Sequence, residues 1–231
     1  MYTHKQDSQP ATAEQVYRQI LRSIIKLKLE PGQLISENQM AKEYGVSRSV
    51  IRTVFARLQQ LGLIEIYPQR GTYVSLIDLR YIEDLLVLRT AVEKEVLYEM
   101  FTSLGRPQRY ILVERLEENM AEQEKCREET DYSGKFPRID SAFHKIMIDS
   151  VGRYALVNML GDLMHHVARW RNFDVAFDNR ITELICQHWD IVNAIKQDNL
   201  ILAQQKMADH LETITSISDR AVAQYPNYFK V

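Results

Sequence analysis

The sequence predicts a mainly α protein, with an N-terminal winged helix-turn-helix at 1–77 followed by an all-α antiparallel helical bundle at 78–231. Three observations lead there. Between Glu14 and Leu61 apolar residues recur at helical spacing, punctuated by cap residues and glycines. Two β-prone segments follow, separated by Pro68-Gln69-Arg70-Gly71. From Asp78 onward strand alternation disappears and six helical stretches succeed one another with short breaks.

Val16, Ile20, Leu21, Ile24 and Leu27 mark one face of a first helix, which Pro31-Gly32 stops. Ser36-Glu37-Asn38-Gln39 has the Ser-x-x-Gln form of a capping box and opens a second helix, which Gly45 ends. Ser47 caps a third, whose buried stripe is Ile51, Val54 or Phe55, Leu58 and Leu61, and Gly62 terminates it. A tight glycine turn between the last two helices makes a helix-turn-helix. Leu63–Tyr67 and Thr72–Ser75 then form a hairpin, the wing, with Arg70 and Gly71 at its tip. Arg48 and Arg52, four apart at the start of the third helix, project from the face opposite the stripe. That end of a recognition helix reaches base edges, and arginine bonds guanine bidentately. Ser47, Ser49 and Thr53 are short enough to let the backbone approach phosphate.

In the second part the helical stretches run roughly 79–101, 108–128, 138–150, 154–172, 179–196 and 199–220. Their breaks include Gly152 and the segment from Phe173 to Asp178, and a Tyr/Pro-containing tail closes the chain.

Charge and composition bound the function. Residues 1–77 hold ten Lys/Arg against six Asp/Glu, while the remainder holds nineteen against twenty-five. A basic module joined to an acidic one suits a polyanion binder attached to something else. No apolar run approaches the roughly 20 residues that span a bilayer, and no secretion signal is visible. Cys126 and Cys186 are too few for a disulfide scaffold, so a cytoplasmic setting is expected.

The chemistry lies in the histidines. His144 follows Asp140 by four residues, so carboxylate and imidazole share a helical face. His188 and His210 lie among apolar neighbours on two further helices. Taken singly, each is more often a satisfied core or surface residue. Together, three imidazoles and a carboxylate from three helices could hold a divalent metal in a bundle core. The adjacent His165 and His166 face different directions and read as structural or surface, and His4 falls in an N-terminal arm.

Met40-Ala41, Gly45-Val46-Ser47-Arg48, Ile51-Arg52, Leu61-Gly62-Leu63 and Arg70-Gly71-Thr72-Tyr73-Val74 resemble the winged helix of the GntR family of bacterial transcription regulators. The resemblance implies that Arg48, Arg52 and Gly71 lie at the DNA. Asn38, where several members carry a DNA-contacting arginine, and Thr53, in place of a common glutamate, bear on operator sequence. The second part is similar to the ligand-sensing (FCD) domain of the FadR branch, through Asp140-x-x-Phe143-His144, His188 with Ala194-Ile195, and Met207-x-x-His210-Leu211. In metal-containing members, an Asp and three His at these positions bind zinc, nickel or a similar ion, which implies one divalent ion per chain here. Arg89-Thr90-Ala91-Val92-Glu93 matches that domain's Arg-x-x-x-Glu. Gly152-Arg153 replaces the usual Gly-Asn, which is expected to alter the loop beside the pocket or add a cation to it.

The expected function is a DNA-binding regulator, a homodimer on an inverted repeat, controlled by a small carboxylate such as a hydroxy acid or sugar acid. Arg89 is the candidate clamp for that effector, the alternative being a helix-surface ion pair with Glu93. A metal-dependent enzyme and an acyl-CoA-responsive regulator are the competing readings. The first lacks a His-Glu-x-x-His motif and leaves the DNA module unexplained; the histidine set counts against the second.

Overall fold

The computed structural model describes residues 12–129, 134–178, 180–213 and 218–230, so His4 lies outside the described residues. The chain forms two compact units, Met1–Leu76 and Ile77–Val231.

In the first unit, Thr12 and Gln15 close a reciprocal capping box on α1 (Ala13–Ile25), which buries Val16, Tyr17, Ile20, Leu21 and Ile24. Ser36 Oγ accepts from Gln39 N at 3.1 Å to start α2 (Glu37–Tyr44), and Gly45, at φ 65°, ends it in the left-handed conformation. Ser47 caps α3 (Arg48–Gln60), whose buried residues are Ile51, Val54, Phe55 and Leu58. β2 (Ile64–Tyr67) and β3 (Gly71–Val74) pair antiparallel, Tyr67 opposite Gly71 and Ile64 opposite Val74. A strand the sequence does not announce, β1 (Leu34–Ile35), adds to β3 and gives the sheet order β1-β3-β2. At two residues, β1 is too short to show any alternation.

The second unit contains α4 (Leu79–Ser103), α5 (Arg106–Glu124), α6 (Phe136–Ser150), α7 (Tyr154–Gly161), α8 (Met164–Asp178), α9 (Ile181–Lys196), α10 (Leu200–Glu212) and α11 (Ser218–Gln224). The long α4 packs on α6, α8 and α10, while α5 packs on α6 and α9. Their shared core includes Leu97, Met100, Leu116, Met120, Phe143 and Ile185. A 3-10 turn at Pro226–Tyr228 follows, and the chain end returns to the start of the unit, where Ile77 N donates to Tyr228 O at 2.8 Å. Both cysteines are free. Among the described residues no helix is long and apolar enough to cross a membrane.

Two expectations are corrected. The stretch 154–172 is not one helix: α7 ends at Gly161 and α8 begins at Met164, as a glycine's low helix propensity favours. The expected break from Phe173 to Asp178 is instead the end of α8. Phe173 stacks on Trp170 at 5.5 Å and meets Phe229 edge-on at 5.5 Å, so aromatic packing overrides the polar local sequence. The expected final helix at 199–220 is described as α10 and α11, with 214–217 outside the described residues.

Gly71 makes the wing possible. Its φ is 118°, and a Cβ there would come within 2.7 Å of Leu34 Cδ1 on β1. Gly71→Ala is therefore expected to destabilise the wing by about 1–3 kcal/mol. Amide hydrogen exchange should accelerate across β2 and β3 and stay unchanged in α4–α10; unchanged protection in the wing would contradict this account.

Candidate functional site

Ser47, Arg48, Ser49, Arg52, Arg70 and Gly71 are all exposed on the first unit. Ser47 Oγ accepts from Val50 N at 3.4 Å and lies 2.8 Å from Ser49 Oγ, which fixes the entry to α3. Thr53 Oγ1 donates back to Ser49 O at 3.1 Å, and Asn38 is exposed on α2. Glu37, not singled out in the sequence, reaches from α2 to both arginines. Arg52 Nε and Nη2 donate to its two oxygens at 3.2 and 3.1 Å, and Arg48 Nη2 lies 3.5 Å from Oε2. The hydrogen bond from Arg52 leads in holding the Glu37 carboxyl below the usual carboxylate range. At the wing tip, Gln69 and Gly71 both have positive φ, and Tyr73 Oη donates to Arg70 O at 3.2 Å.

In the second unit the fold brings Asp140, His144, His188 and His210 together, all buried, with one ligand atom from each lying within 4.8 Å of the others. The outer ring nitrogens are all engaged. His144 Nδ1 faces Glu93 Oε2 at 2.5 Å, His188 Nδ1 faces Gln123 Oε1 at 2.7 Å, and His210 Nδ1 faces Gln187 Oε1 at 3.0 Å. Gln123 Nε2 donates to Asn119 Oδ1, whose amide nitrogen donates to Ile139 O, so the Gln123 oxygen is the end presented to His188. Likewise Gln187 Nε2 donates to Glu183, which turns its oxygen toward His210. Each imidazole thus carries its proton on Nδ1 and turns a bare Nε2 inward.

The inward side is where the donor set matches a cation. Nε2 of His188 and Nε2 of His210 lie 3.2 Å apart, two acceptors facing each other. His144 Nε2 is buried with no hydrogen-bond partner. His188 Nε2 is also 3.6 Å from Asp140 Oδ1. Burial lowers the His188 pKa to about 3 against the opposing pull of Asp140, and burial then the neighbouring His188 and His144 push His210 well below the ordinary value. Nitrogens kept neutral in this way are ready to ligate.

Arg89, the candidate clamp, is largely buried and already paired. Its side chain is 13% exposed, and its Nε donates to Glu93 Oε1 at 2.6 Å. Burial raises the Glu93 pKa, but its contacts with His144 and Arg89 outweigh that and hold the carboxyl at about 2. A chain therefore runs from Arg89 through Glu93 to His144. Beside it opens a cavity of about 330 Å³, lined by Arg89, Asp140 and His144 on one side and by α7 and α8 on the other.

Residues 12–74 match the family described as bacterial regulatory proteins, gntR family, and residues 84–213 match the FCD domain. The chain belongs to the GntR family. It is a transcriptional regulator with a DNA-binding GntR domain and an FCD ligand-binding domain. Similar relatives include an HTH-type transcriptional regulator in an unstable DNA locus of Streptomyces ambofaciens, 28% identical over 93% of this chain and 88% of that one. The HTH-type transcriptional repressor RspR of Escherichia coli K12 is 27% identical over 92% and 91%. The same fold is seen in E. coli McbR/YncC, with a TM-score of 0.66 at 16% identity covering 91% and 98% of the two chains. It recurs in a GntR regulator from Rhodococcus sp. RHA1, at 0.62 and 20% covering 90% and 97%.

Further residues of this GntR regulator's FCD domain surround the site or lie near it. His165, read as structural or surface, lines the cavity, while His166 packs edge-on against Tyr81. Arg153 pairs with Glu99 on α4 instead of entering this cavity. Gln123, Gln187 and Arg171 carried no sequence signal, because each meets the site from another helix. Losing Glu93 would strip His144 Nδ1 and Arg89 of a buried acceptor. Glu93→Ala is accordingly expected to destabilise the second unit by about 3 kcal/mol. Urea unfolding followed by the fluorescence of Trp170 and Trp189, both in that unit, checks it; a loss below about 1 kcal/mol would show a solvent-compensated pair.

Proposed function

We propose that this regulator binds an inverted-repeat operator as a homodimer. A small carboxylate effector, received at a divalent metal in the FCD domain, controls that binding. Asp140, His144, His188 and His210 would hold the ion, with zinc or nickel suited to three nitrogens and one oxygen. The observation that carries this reading is the inward convergence of three Nε2 atoms whose Nδ1 partners are already fixed by Glu93, Gln123 and Gln187. The bound ion would supply the positive charge and open positions that receive a carboxylate. Asp140 and His144 belong both to the ligand set and to the cavity wall, so an effector entering the cavity meets the ion there. Arg89, through Glu93, holds the His144 ring, and its own charge adds to the attraction for an anion. We read the protein as cytoplasmic and, as RspR is described, as a repressor.

For the DNA, Arg48 and Arg52 would read base edges, Ser47 and Ser49 would admit the phosphate backbone, and Arg70 with Gly71 would place the wing in the neighbouring groove. The description of the relatives as transcriptional regulators favours this reading over an enzyme.

The metal is tested by elemental analysis of the chain purified without a histidine tag. About one ion per chain is expected, with strong loss in His144→Ala and in His188→Ala. A metal-free wild type whose melting temperature ignores chelator would return the four residues to an ordinary polar core. For the DNA, Arg52→Ala should cost about 1–3 kcal/mol on the operator and much less on random sequence. Equal losses on both in quantitative gel shifts would reassign Arg52 to phosphate.

A further inference from the structure

The cavity wall opposite the metal ligands is unlike the wall that holds them. α7 contributes Val157 and Leu160, the first turns of α8 contribute Met164 and Val167, and Ile148 closes the end of α6. Among the lining residues that α7 and these first turns supply, His165 alone has a polar side chain. Polar groups on the α6 side are already engaged: Ser141 Oγ donates to Pro137 O at 2.8 Å, and Lys145 pairs with Asp149. Charged groups also line the cavity: Arg89 from α4, Asp140 beside His144 on α6, and Arg171 one turn beyond Val167 on α8. At about 330 Å³ the space lies at the small end of the roughly 300–1,000 Å³ typical of ligand pockets.

We infer that the effector is amphipathic: a small acid whose carboxylate end goes to the metal and whose body is a short hydrocarbon chain lying on Val157, Leu160 and Met164. The inference rests on the proposed carboxylate-at-metal reading and narrows it. A sugar acid would lay its hydroxyl row against this aliphatic wall, where those hydroxyls would lose water without gaining partners. An alkyl chain loses nothing there and gains apolar burial.

Isothermal titration of the zinc-saturated full chain with lactate, 2-hydroxybutanoate, 2-hydroxypentanoate, 2-hydroxyhexanoate and gluconate tests this. Each added methylene is expected to lower Kd about fourfold. Gluconate, with the same carbon count as 2-hydroxyhexanoate, should bind at least about tenfold more weakly than it. Val157→Thr, which places a hydroxyl on the wall at nearly constant volume, should flatten the gradient across the series at full zinc content. A flat or reversed gradient in the wild type, or gluconate as the tightest ligand, overturns the amphipathic effector and leaves the metal-site reading standing. Binding by none of the acids overturns both.

Discussion

A buried imidazole must place both of its ring nitrogens, and in this helical bundle that requirement organises the neighbourhood of three of them at once. Each outer nitrogen is met from a different helix: Glu93 on α4, Gln123 on α5 and Gln187 on α9. Those acceptors are themselves held, by Arg89, by Asn119 and by Glu183. The helices that pack around the site are therefore also tied by polar contacts whose geometry admits little slippage, since a buried donor or acceptor left unmatched costs about 1–3 kcal/mol. Apolar packing of residues such as Phe143 and Ile185 supplies the bulk of the burial but tolerates rearrangement. The polar shell selects one arrangement among those that the hydrocarbon would accept.

What the sequence made legible is what sits within one turn of itself. Ser36, Gly45 and Ser47 announce helix ends because caps act over three or four residues. The stripe of α3 is visible because its period is local. Asp140 and His144 were readable as a pair for the same reason, being four apart on α6. His188 and His210 were found only through their apolar settings and the family pattern. Gln123 and Gln187 were invisible, since nothing in the neighbouring sequence of a glutamine tells that an imidazole from a helix 65 or 23 residues away will meet it. The misplaced break at Phe173 has the same origin. Asn172, Phe173 and Asp174 look like a loop locally, while partners distant in the sequence, Phe229 among them, pack on them as helix.

The wing teaches a related lesson about size. β1 contributes two residues, yet it sets the tip of the exposed Leu34 side chain within 2.7 Å of where a Gly71 Cβ would stand, a contact that adds to the demand of a φ of 118°. A pattern search sees the glycine and explains it by the turn. The steric reason comes from a strand too short to be read.

Glu37 gives α3 an internal counterion. Two arginines share one carboxylate, so the face of α3 presents one net positive charge where its composition suggests two. In the proposed complex, Arg52 must exchange a bidentate acceptor it already has for one on the nucleic acid. Guanine, with two acceptors side by side, makes that exchange nearly even. A phosphate, which also takes arginine bidentately, offers the same exchange, and in either case the released carboxylate is left beside a polyanion. The salt dependence of binding should accordingly count fewer released ions than the arginines on the face would suggest, because one ion's place was taken by the protein itself.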